Sequence, residues 1–306
     1  MKKAVITGAT GMIGMALIQC LLDKNIEVLA ITRENSNRSS NLEKFQNRIK
    51  ILACDLENYH NLDLEEKDYD TFFHLAWNGT LNFEREDENK QEVNVAYTID
   101  AIKLAHRLGC STFVGVGSQA EFGNVEGTIS EVTKENPNTP YGIAKMKSGY
   151  ESRKVALELG MRHIWTRVFS VYGPYDSYHT MLIKSIDAFL KGESLEYTLG
   201  EQDWDYIYSA DVAKALYLLE EYGKNGEVYC IASGKTRKLY EFIEILRNKI
   251  NANIQLQLGK IPYKENQVMN LRVDIRKLIE ATGFQLSTTF EEGIQETIDW
   301  YCNRQK

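Results

Sequence analysis

The stretch "KAVITGATGMIGMALIQCLLDK" (residues 3–24) changes from a short apolar run to a helical pattern, with three glycines at the change. Gly8, Gly11 and Gly14 permit a tight turn and let the backbone approach a pyrophosphate at a helix N-terminus. Their spacing is G-x-x-G-x-x-G, whereas the archetypal dinucleotide turn has G-x-G-x-x-G, and a glycine trio can be only a tight turn. Its place between strand and helix predicts a dinucleotide site. The residues expected there are Gly8, Thr10, Gly11, Met12, Ile13 and Gly14.

Short apolar runs alternate with helical patterns through the first half of the chain. The runs are "KAVITG", "EVLAIT", "RIKILAC", "DTFFHLA", "TFVGVG" and "RHIWTRVF". They are continuously apolar, as strands are when helices cover both faces of their sheet. Helical stretches such as "KQEVNVAYTIDAIKLAHRLG" lie between them. This order predicts an α/β fold with a Rossmann-type, doubly wound parallel sheet.

The alternation of apolar runs and helical patterns ends after about residue 168, where "VYGPYDSYH" is rich in tyrosine and glycine. We predict a dinucleotide-binding domain over residues 1–168. Residues 205–230, which contain "DYIYSADVAKALYLLEEYG", read as a strand and helix that return to this domain. Residues 169–204 and 231–306 are expected to form a smaller C-terminal α/β lobe that binds the substrate.

Composition excludes several classes of function. The 306 residues carry a net charge of −7 and no basic stripe, so a nucleic-acid partner has no electrostatic support. No apolar run approaches the roughly 20 residues that span a bilayer, and the glycine turn interrupts the N-terminal apolar stretch, so neither a membrane partner nor a signal peptide is expected. The five cysteines are scattered without a C-x-x-C pair, which favours a reducing cytoplasm and no metal site.

The end of the second predicted strand, "ITREN", bears on the choice between NAD and NADP. An acidic residue there would bind the 2′-hydroxyl of the ribose, whereas an arginine can grip a 2′-phosphate in a forked geometry. Arg33, with Ser36 and Arg38 close by, favours NADP, and NAD is less expected. Glu34 could favour NAD if it faces the ribose, and Arg33 could also be only solvated. Asp55 and Leu56, just past the third strand, suit the adenine end.

The stretch "TPYGIAKMKSGY" (residues 139–150) places Tyr141 four residues before Lys145, just after a proline. On a helix this spacing puts both side chains on one face. A nearby ammonium can lower the pKa of a phenol, so Tyr141 could exchange a proton with a substrate oxygen near neutral pH. The pattern alone is also compatible with an ordinary amphipathic helix start.

Several motifs in a fixed order add to this reading. They are the glycine turn, "CDL" at 54–56, "HLAW" at 74–77, Asn94, "GSQAEFG" at 117–123, "PYGIAK" at 140–145, "RVFSVYGP" at 167–174, "DYIYSADVA" at 205–213 and the closing "FEEGIQETIDWY". With them the chain resembles the extended short-chain dehydrogenase/reductase family, in the branch of NAD(P)-dependent sugar-nucleotide epimerases, dehydratases and 4-ketoreductases. The resemblance covers nearly the whole length.

The resemblance implies roles for particular residues. Ser118, Tyr141 and Lys145 match the catalytic serine, the acid/base tyrosine and its lysine partner, which would also bind the nicotinamide ribose. The cofactor site would further include Leu75, Ala76, Trp77 and Phe169. The substrate, a nucleoside-diphosphate sugar, would contact Asn78, Ser118, Gln119, Ala120, Ser170, His179, Trp204 and Arg272.

The residues after Ser118 bear on the reaction. The family's 4,6-dehydratases carry Asp-Glu there, and Gln119 and Ala120 cannot protonate a leaving hydroxyl, so dehydration is not expected. Glu121 is expected to point elsewhere, into an ion pair or loop contact. The pattern resembles NADPH-dependent reductases that act at C4 of nucleoside-diphosphate 4-keto-6-deoxyhexoses, in deoxysugar biosynthesis for surface glycans. An NAD-dependent 4-epimerase is the alternative, and a non-catalytic NADP(H)-binding regulator is a second.

The chain departs from the family at two positions. Trp204 stands where many relatives have an arginine that holds the diphosphate, so Arg272 or another basic residue would have to supply that charge. Ser170 replaces a frequent asparagine. His179 is expected to contact substrate or lie at the surface, because no cysteine between Gly117 and Gly123 supports a combined epimerase-reductase.

The resemblance also implies a homodimer built on the helices near 90–108 and 141–159. These helices carry Val93, Val95, Tyr97, Ile102, Met146 and Tyr150. Apolar residues on such helices could equally pack against the sheet of their own chain, so the dimer follows from the resemblance alone.

Overall fold

The computed structural model describes residues 1–81, 83–265 and 267–304. Seven strands form one parallel sheet in the order β10-β6-β5-β4-β1-β2-β3. Their bounds are β1 Lys3–Thr7, β2 Glu27–Thr32, β3 Lys50–Ala53, β4 Thr71–His74, β5 Thr112–Ser118, β6 Arg162–Val168 and β10 Glu227–Ile231. The chain moves outward from β1 to β3 and then crosses back to β4. This reversal creates a crevice at the carboxyl ends of β1 and β4, where such folds bind ligands.

Helices cover both faces of this sheet. The described helices are α1 Met12–Leu22, α2 Glu88–Arg107, α3 Pro140–Glu158, α4 Met181–Leu190, α5 Ser209–Tyr222, α6 Leu239–Ile250, α7 Arg276–Thr282 and α8 Phe290–Arg304. Successive residues of β1 face opposite sides, so Ile6 packs with α1, α5 and α7, and Val5 packs with α2 and α3. Burial on both faces explains the continuously apolar strands.

The C-terminal lobe combines helices with short strands. β7 Ser170–Tyr172 pairs in parallel with β9 Tyr206–Tyr208, and β8 Asp203–Trp204 pairs antiparallel with β11 Arg237–Lys238. Aromatic and aliphatic side chains from α4, α6 and α8 form its core. The buried Asp211 carboxylate of α5 accepts the backbone N–H groups of Ser287, at 2.8 Å, and Thr288, at 3.1 Å, which anchors the segment that leads into α8.

The predicted doubly wound α/β fold is confirmed. Each of the six apolar runs contains a strand of the large sheet, and "DYIYSADVA" contains β9 and the start of α5. The seventh strand, β10, was not identified individually in the sequence. The polar stretch after β2 contains a 3₁₀ helix at Ser39–Phe45. All five cysteines are free thiols, and no helix in the described ranges is long and apolar enough to cross a bilayer.

Candidate active site

A cleft of about 430 Å³ opens at the carboxyl ends of β1, β2 and β4. Its position at the reversal of strand order is the usual place for a dinucleotide. Its lining includes these residues of the predicted cofactor and substrate sets: Gly8, Thr10, Gly11, Arg33, Arg38, Leu56, Leu75, Ala76, Trp77, Asn78 and His179.

The glycine turn forms the floor of this cleft. Gly8 has a φ of +69°, and a Cβ there would lie 2.8 Å from the backbone nitrogen of Ala76. A Cβ on Gly14 would lie 2.4 Å from the carbonyl oxygen of Gly8. The N-terminus of α1 has no side-chain cap and no acidic residue in its first turn. Its free N–H groups and helix dipole therefore suit a pyrophosphate.

Arginines line the end of the cleft that follows β2. Arg33 and Arg38 are lining residues, whereas Glu34 is not. The pKa of Glu84, across the cleft, is lowered mainly by its ion pair with Lys90 and to a smaller extent by Arg33. Arg33 and Glu84 thus both line the cleft. The guanidinium groups of these arginines can pair with anionic groups of a bound ligand.

The start of α3 holds Tyr141 close to the turn that follows β5. Pro140 begins the helix, and the Thr139 hydroxyl accepts a hydrogen bond from the Gly142 N–H at 3.1 Å. A Cβ on Gly142 would lie 2.3 Å from the carbonyl oxygen of Ala120, so glycine permits this close packing. The Ser118 hydroxyl accepts a hydrogen bond from the Ala120 N–H at 3.2 Å, and it lowers the pKa of Tyr141.

Lys145 is buried beneath the cleft. Its Nζ donates to the Val116 carbonyl at 2.7 Å and lies 3.7 Å from the centre of the Trp77 ring. Burial lowers the pKa of Lys145 to about 7. The sequence predicted a lowered pKa for Tyr141, but burial raises the pKa of its phenol. Arg85 and Ser118 oppose this shift. In this structure the phenol is protonated near neutral pH.

Glu121 points away from the cleft, as expected from the sequence. Its carboxylate accepts from the Ser118 N–H at 2.8 Å, from Arg167 Nε at 2.8 Å and from Trp165 Nε1 at 3.2 Å. Burial raises the pKa of Glu121, and the Arg167 guanidinium counters the shift by favouring the carboxylate. Glu121 thus holds the serine turn in place and is not available to a substrate.

A second pocket, of about 450 Å³, adjoins Tyr141, and we call it the sugar pocket because the sugar of the predicted substrate is expected there. It brings together residues of the serine turn, the start of α3, the segment between β4 and α2, and the C-terminal lobe. Its lining residues are Phe83, Arg85, Glu86, Gln119, Ala120, Gly123, Asn138, Thr139, Tyr141, Lys264 and Val268. The side chains that follow Ser118 are thus an amide and a methyl group, with no carboxyl.

Six of the eight predicted substrate residues do not line the sugar pocket, and Ser118 is one of them, although it directly precedes Gln119. Exposed His179 lines the cofactor cleft, and half-buried Ser170 lies in β7. Trp204 packs against the apolar core of the lobe. Arg272 donates to the Asp203 carboxylate at 2.7 Å and lines a neighbouring cleft of about 530 Å³. Asn78, also predicted for substrate, lines the cofactor cleft instead.

Several predicted cofactor residues do not line the cleft, and others line it without having been predicted. Phe169 is buried in a core cluster with Phe122, and Lys145 lies below Trp77. The others outside the lining are Met12, Ile13, Gly14, Ser36, Asp55 and Tyr141, the last of which the resemblance also assigns to the cofactor site. The residues that line the cleft without having been predicted are Ile31, Thr32, Asn37, Cys54, Tyr59, Gly79, Thr80, Leu81 and Glu84, and Arg85 is one such residue in the sugar pocket. Asn37 and Cys54 adjoin predicted residues, whereas nothing local indicated Tyr59 or Arg85.

The sequence profile of the NAD dependent epimerase/dehydratase family matches residues 4–232. The chain belongs to this family. The resemblance to extended short-chain dehydrogenases/reductases that act on sugar nucleotides is thereby confirmed, as is the class of NAD-dependent enzymes.

Full-length relatives extend this finding. The chain is similar to a putative UDP-glucose 4-epimerase of Methanocaldococcus jannaschii, at 26% identity over 99% of each chain. Two solved structures share the fold. One is a UDP-N-acetylglucosamine 4-epimerase from Methanobrevibacter ruminantium, with a TM-score of 0.89, 24% identity and 99% of each chain covered. The other is a dTDP-glucose 4,6-dehydratase from Streptomyces venezuelae with NAD bound. Its TM-score is 0.88 at 22% identity, and the match covers 99% of this chain and 98% of the dehydratase chain. None of these three is a 4-ketoreductase, and none of their names mentions NADP.

The role of Glu121 can be measured through stability. Arg167 pairs with the carboxylates of Glu121 and Glu135. Glu121→Gln removes the more deeply buried of the two, so we expect the free energy of unfolding to fall by about 3 kcal/mol. Urea denaturation at neutral pH measures this loss. The matched control is Glu126→Gln, an exposed glutamate of the same segment, which should change stability little. Equal stability of the two variants would contradict a structural role for the ion pair.

Proposed function

We propose that this protein reduces the C4 ketone of a nucleoside-diphosphate 4-keto-6-deoxyhexose with NADPH, in deoxysugar biosynthesis for surface glycans. The observation that carries the proposal is the composition of the sugar pocket. Tyr141 lines this pocket and can serve a sugar oxygen, with Ser118 at the start of the adjoining turn, while Gln119 and Ala120 provide no acid or base to eliminate water. This favours proton transfer coupled to hydride transfer over dehydration.

In the proposed reaction, different residues hold the cofactor and transfer the proton. A bound nicotinamide supplies the hydride to the sugar carbon, and the glycine turn with the α1 N-terminus would hold its pyrophosphate. Tyr141 donates the proton to the O4 oxygen, and Ser118 hydrogen-bonds the same oxygen as charge develops on it. Because burial raises the pKa of Tyr141, the phenol carries the proton that a reduction needs.

A second candidate is an NAD-dependent 4-epimerase. It is favoured by the full-length relative named as a putative UDP-glucose 4-epimerase and by the NAD bound in the dehydratase structure. Such an enzyme would keep its cofactor between turnovers. A non-catalytic NADP(H)-binding regulator is less favoured, because Ser118, Tyr141 and Lys145 are all present and close together. A cytoplasmic location remains a prediction.

The reaction is tested by following the absorbance of reduced nicotinamide with a panel of nucleoside-diphosphate 4-keto-6-deoxysugars. We expect stoichiometric consumption of NADPH with one nucleotide class. Tyr141→Phe should lower kcat by about 10²–10⁴-fold, because the proton donor is lost. Binding of NADPH, measured by fluorescence, should persist in this variant. Conversion of a UDP-hexose to its C4 epimer without net consumption of cofactor would instead establish the epimerase.

The choice of cofactor is tested at the arginines. Arg33→Ala and Arg38→Ala each remove a charge that can pair with a 2′-phosphate, so we expect the Kd for NADPH to rise about tenfold or more, with that for NADH unchanged. Isothermal titration calorimetry measures both. Arg48→Ala is the matched control, since Arg48 is exposed and does not line the cleft. Tighter binding of NADH than NADPH by the unmodified protein would overturn the NADP assignment.

The homodimer also remains a proposal, and exposed apolar side chains on α2 and α3 support it. They include Val93, Ile143 and Leu157, whereas Ile102 is buried in the core of its own chain. Sedimentation equilibrium should give twice the 35.1 kDa of one chain. Val93→Glu should shift the protein toward monomer, while Leu199→Glu, at an exposed site in the lobe, should not. A monomeric unmodified protein would contradict the proposal.

A further inference from the structure

Arg85 lies directly over the face of the catalytic tyrosine. It belongs to a short 3₁₀ turn, Glu84–Glu86, between β4 and α2. Its guanidinium carbon is 4.7 Å from the centre of the Tyr141 ring, whereas Nζ of Lys145 is 5.9 Å from the same point. Of these two cations, the arginine is thus the nearer to the phenol ring.

Lys145 has other partners. Its Nζ is held by the Val116 carbonyl at 2.7 Å and by the face of Trp77 at 3.7 Å. Because burial brings the pKa of Lys145 down to about 7, much of the lysine is uncharged near neutral pH. An arginine keeps its charge at any pH that the protein tolerates. The permanent charge beside the phenol is therefore that of Arg85.

We propose that Arg85 is a positioning residue that favours the phenolate of Tyr141 electrostatically, and so supplies the charge that the family resemblance assigns to Lys145. This inference rests on the proposed catalytic role of Tyr141. As the phenol gives its proton to the sugar oxygen, negative charge develops on the tyrosine. A fixed guanidinium over the ring stabilises that charge without any rearrangement during the reaction.

Hydrogen bonds hold Arg85 in this position. Its Nε donates to the Thr80 carbonyl at 3.0 Å. The neighbouring Glu84 accepts from Lys90 Nζ at 2.9 Å and, through its carbonyl, from Gln91 Nε2 at 2.9 Å. Both partners belong to α2, so the turn is tied to a regular helix.

Gln91 connects the two cation sites. This buried side chain accepts a hydrogen bond from the Trp77 indole N–H at 2.8 Å and donates to the segment that carries Arg85. The Trp77 ring covers Lys145 and meets the Tyr141 ring edge-on, with centroids 5.9 Å apart. One buried amide thus orients the ring that covers the lysine and the turn that presents the arginine.

Several charged groups surround the phenol of Tyr141. Arg85 lowers the pKa of Tyr141 and Glu121 raises it, while burial is the largest influence and raises it. Two further charged side chains line the sugar pocket with the tyrosine. The groups that face it are Lys145 on its own helix, Arg85 and Glu86 between β4 and α2, Glu121 after β5, and Lys264 in the C-terminal lobe.

The test compares Arg85→Gln, which removes the charge, with Arg85→Lys, which keeps it. Tyrosinate absorbance is titrated in the NADP⁺ complex, and the same titration with Tyr141→Phe added to each variant isolates Tyr141. We expect the midpoint to rise by about one pH unit in Arg85→Gln and to stay near that of the unmodified protein in Arg85→Lys. Arg276→Gln, which removes an exposed arginine, is the matched control. Circular dichroism at each pH confirms that the fold persists.

Kinetics give the second readout. Reduction requires the protonated phenol. A higher pKa of Tyr141 therefore shifts the alkaline limb of the pH profile of kcat to higher pH by the same amount. A weaker acid also slows the hydride step, and we expect kcat at neutral pH to fall about tenfold in Arg85→Gln, with recovery in Arg85→Lys.

An unchanged titration midpoint in Arg85→Gln would overturn the proposal, whether or not the variant keeps its activity. A loss of activity with an unchanged midpoint would indicate that Arg85 contacts the substrate instead. If no keto sugar is reduced, the proposed function fails, but the titration still decides whether Arg85 acts on Tyr141.

Discussion

The buried carboxylate of Glu121 is the contact on which the arrangement of the catalytic centre depends. It joins the end of β5 to β6 through the Ser118 N–H and the Arg167 side chain. The serine turn that it fixes is the surface against which Gly142 packs, and Gly142 follows the catalytic tyrosine. A charge buried this deeply is costly unless it is paired and hydrogen-bonded, and here it is both. Ser118 and Tyr141 are therefore held together before any ligand binds.

The same centre shows how position in a loop decides the chemistry. Glu121 is the nearest carboxyl group after Ser118, but it faces the protein interior, and the two side chains between them carry no acid. In the proposed reaction the site moves a proton and a hydride at a sugar carbon, and neither Gln119 nor Ala120 supplies an acid or base to expel water. The fold alone therefore does not fix the reaction, which depends on the side chains of the site.

The groups that act on the charges of Tyr141 and Lys145 are more than those of a simple tyrosine–lysine pair. Burial works against both charged forms, since it raises the pKa of Tyr141 and lowers that of Lys145. The aromatic face of Trp77 and the guanidinium of Arg85 then act on these two groups from the segment that follows β4. That segment also lines both the cofactor cleft and the sugar pocket, so it links the two sites.

The sequence by itself determined the sheet, the glycine turn and the helix that carries Tyr141 and Lys145. These features are local, because each depends on residues that are close together in the chain. They are the periodicity of the strands, the glycine at a positive φ and the four-residue spacing on the helix. Tertiary structure alone decided that Arg85 covers Tyr141, that Trp77 covers Lys145, that Arg272 pairs with Asp203, and that Phe169 is buried. Each of these contacts joins segments distant in the chain, or depends on which way a side chain turns when strands and helices pack. No periodic pattern encodes those outcomes.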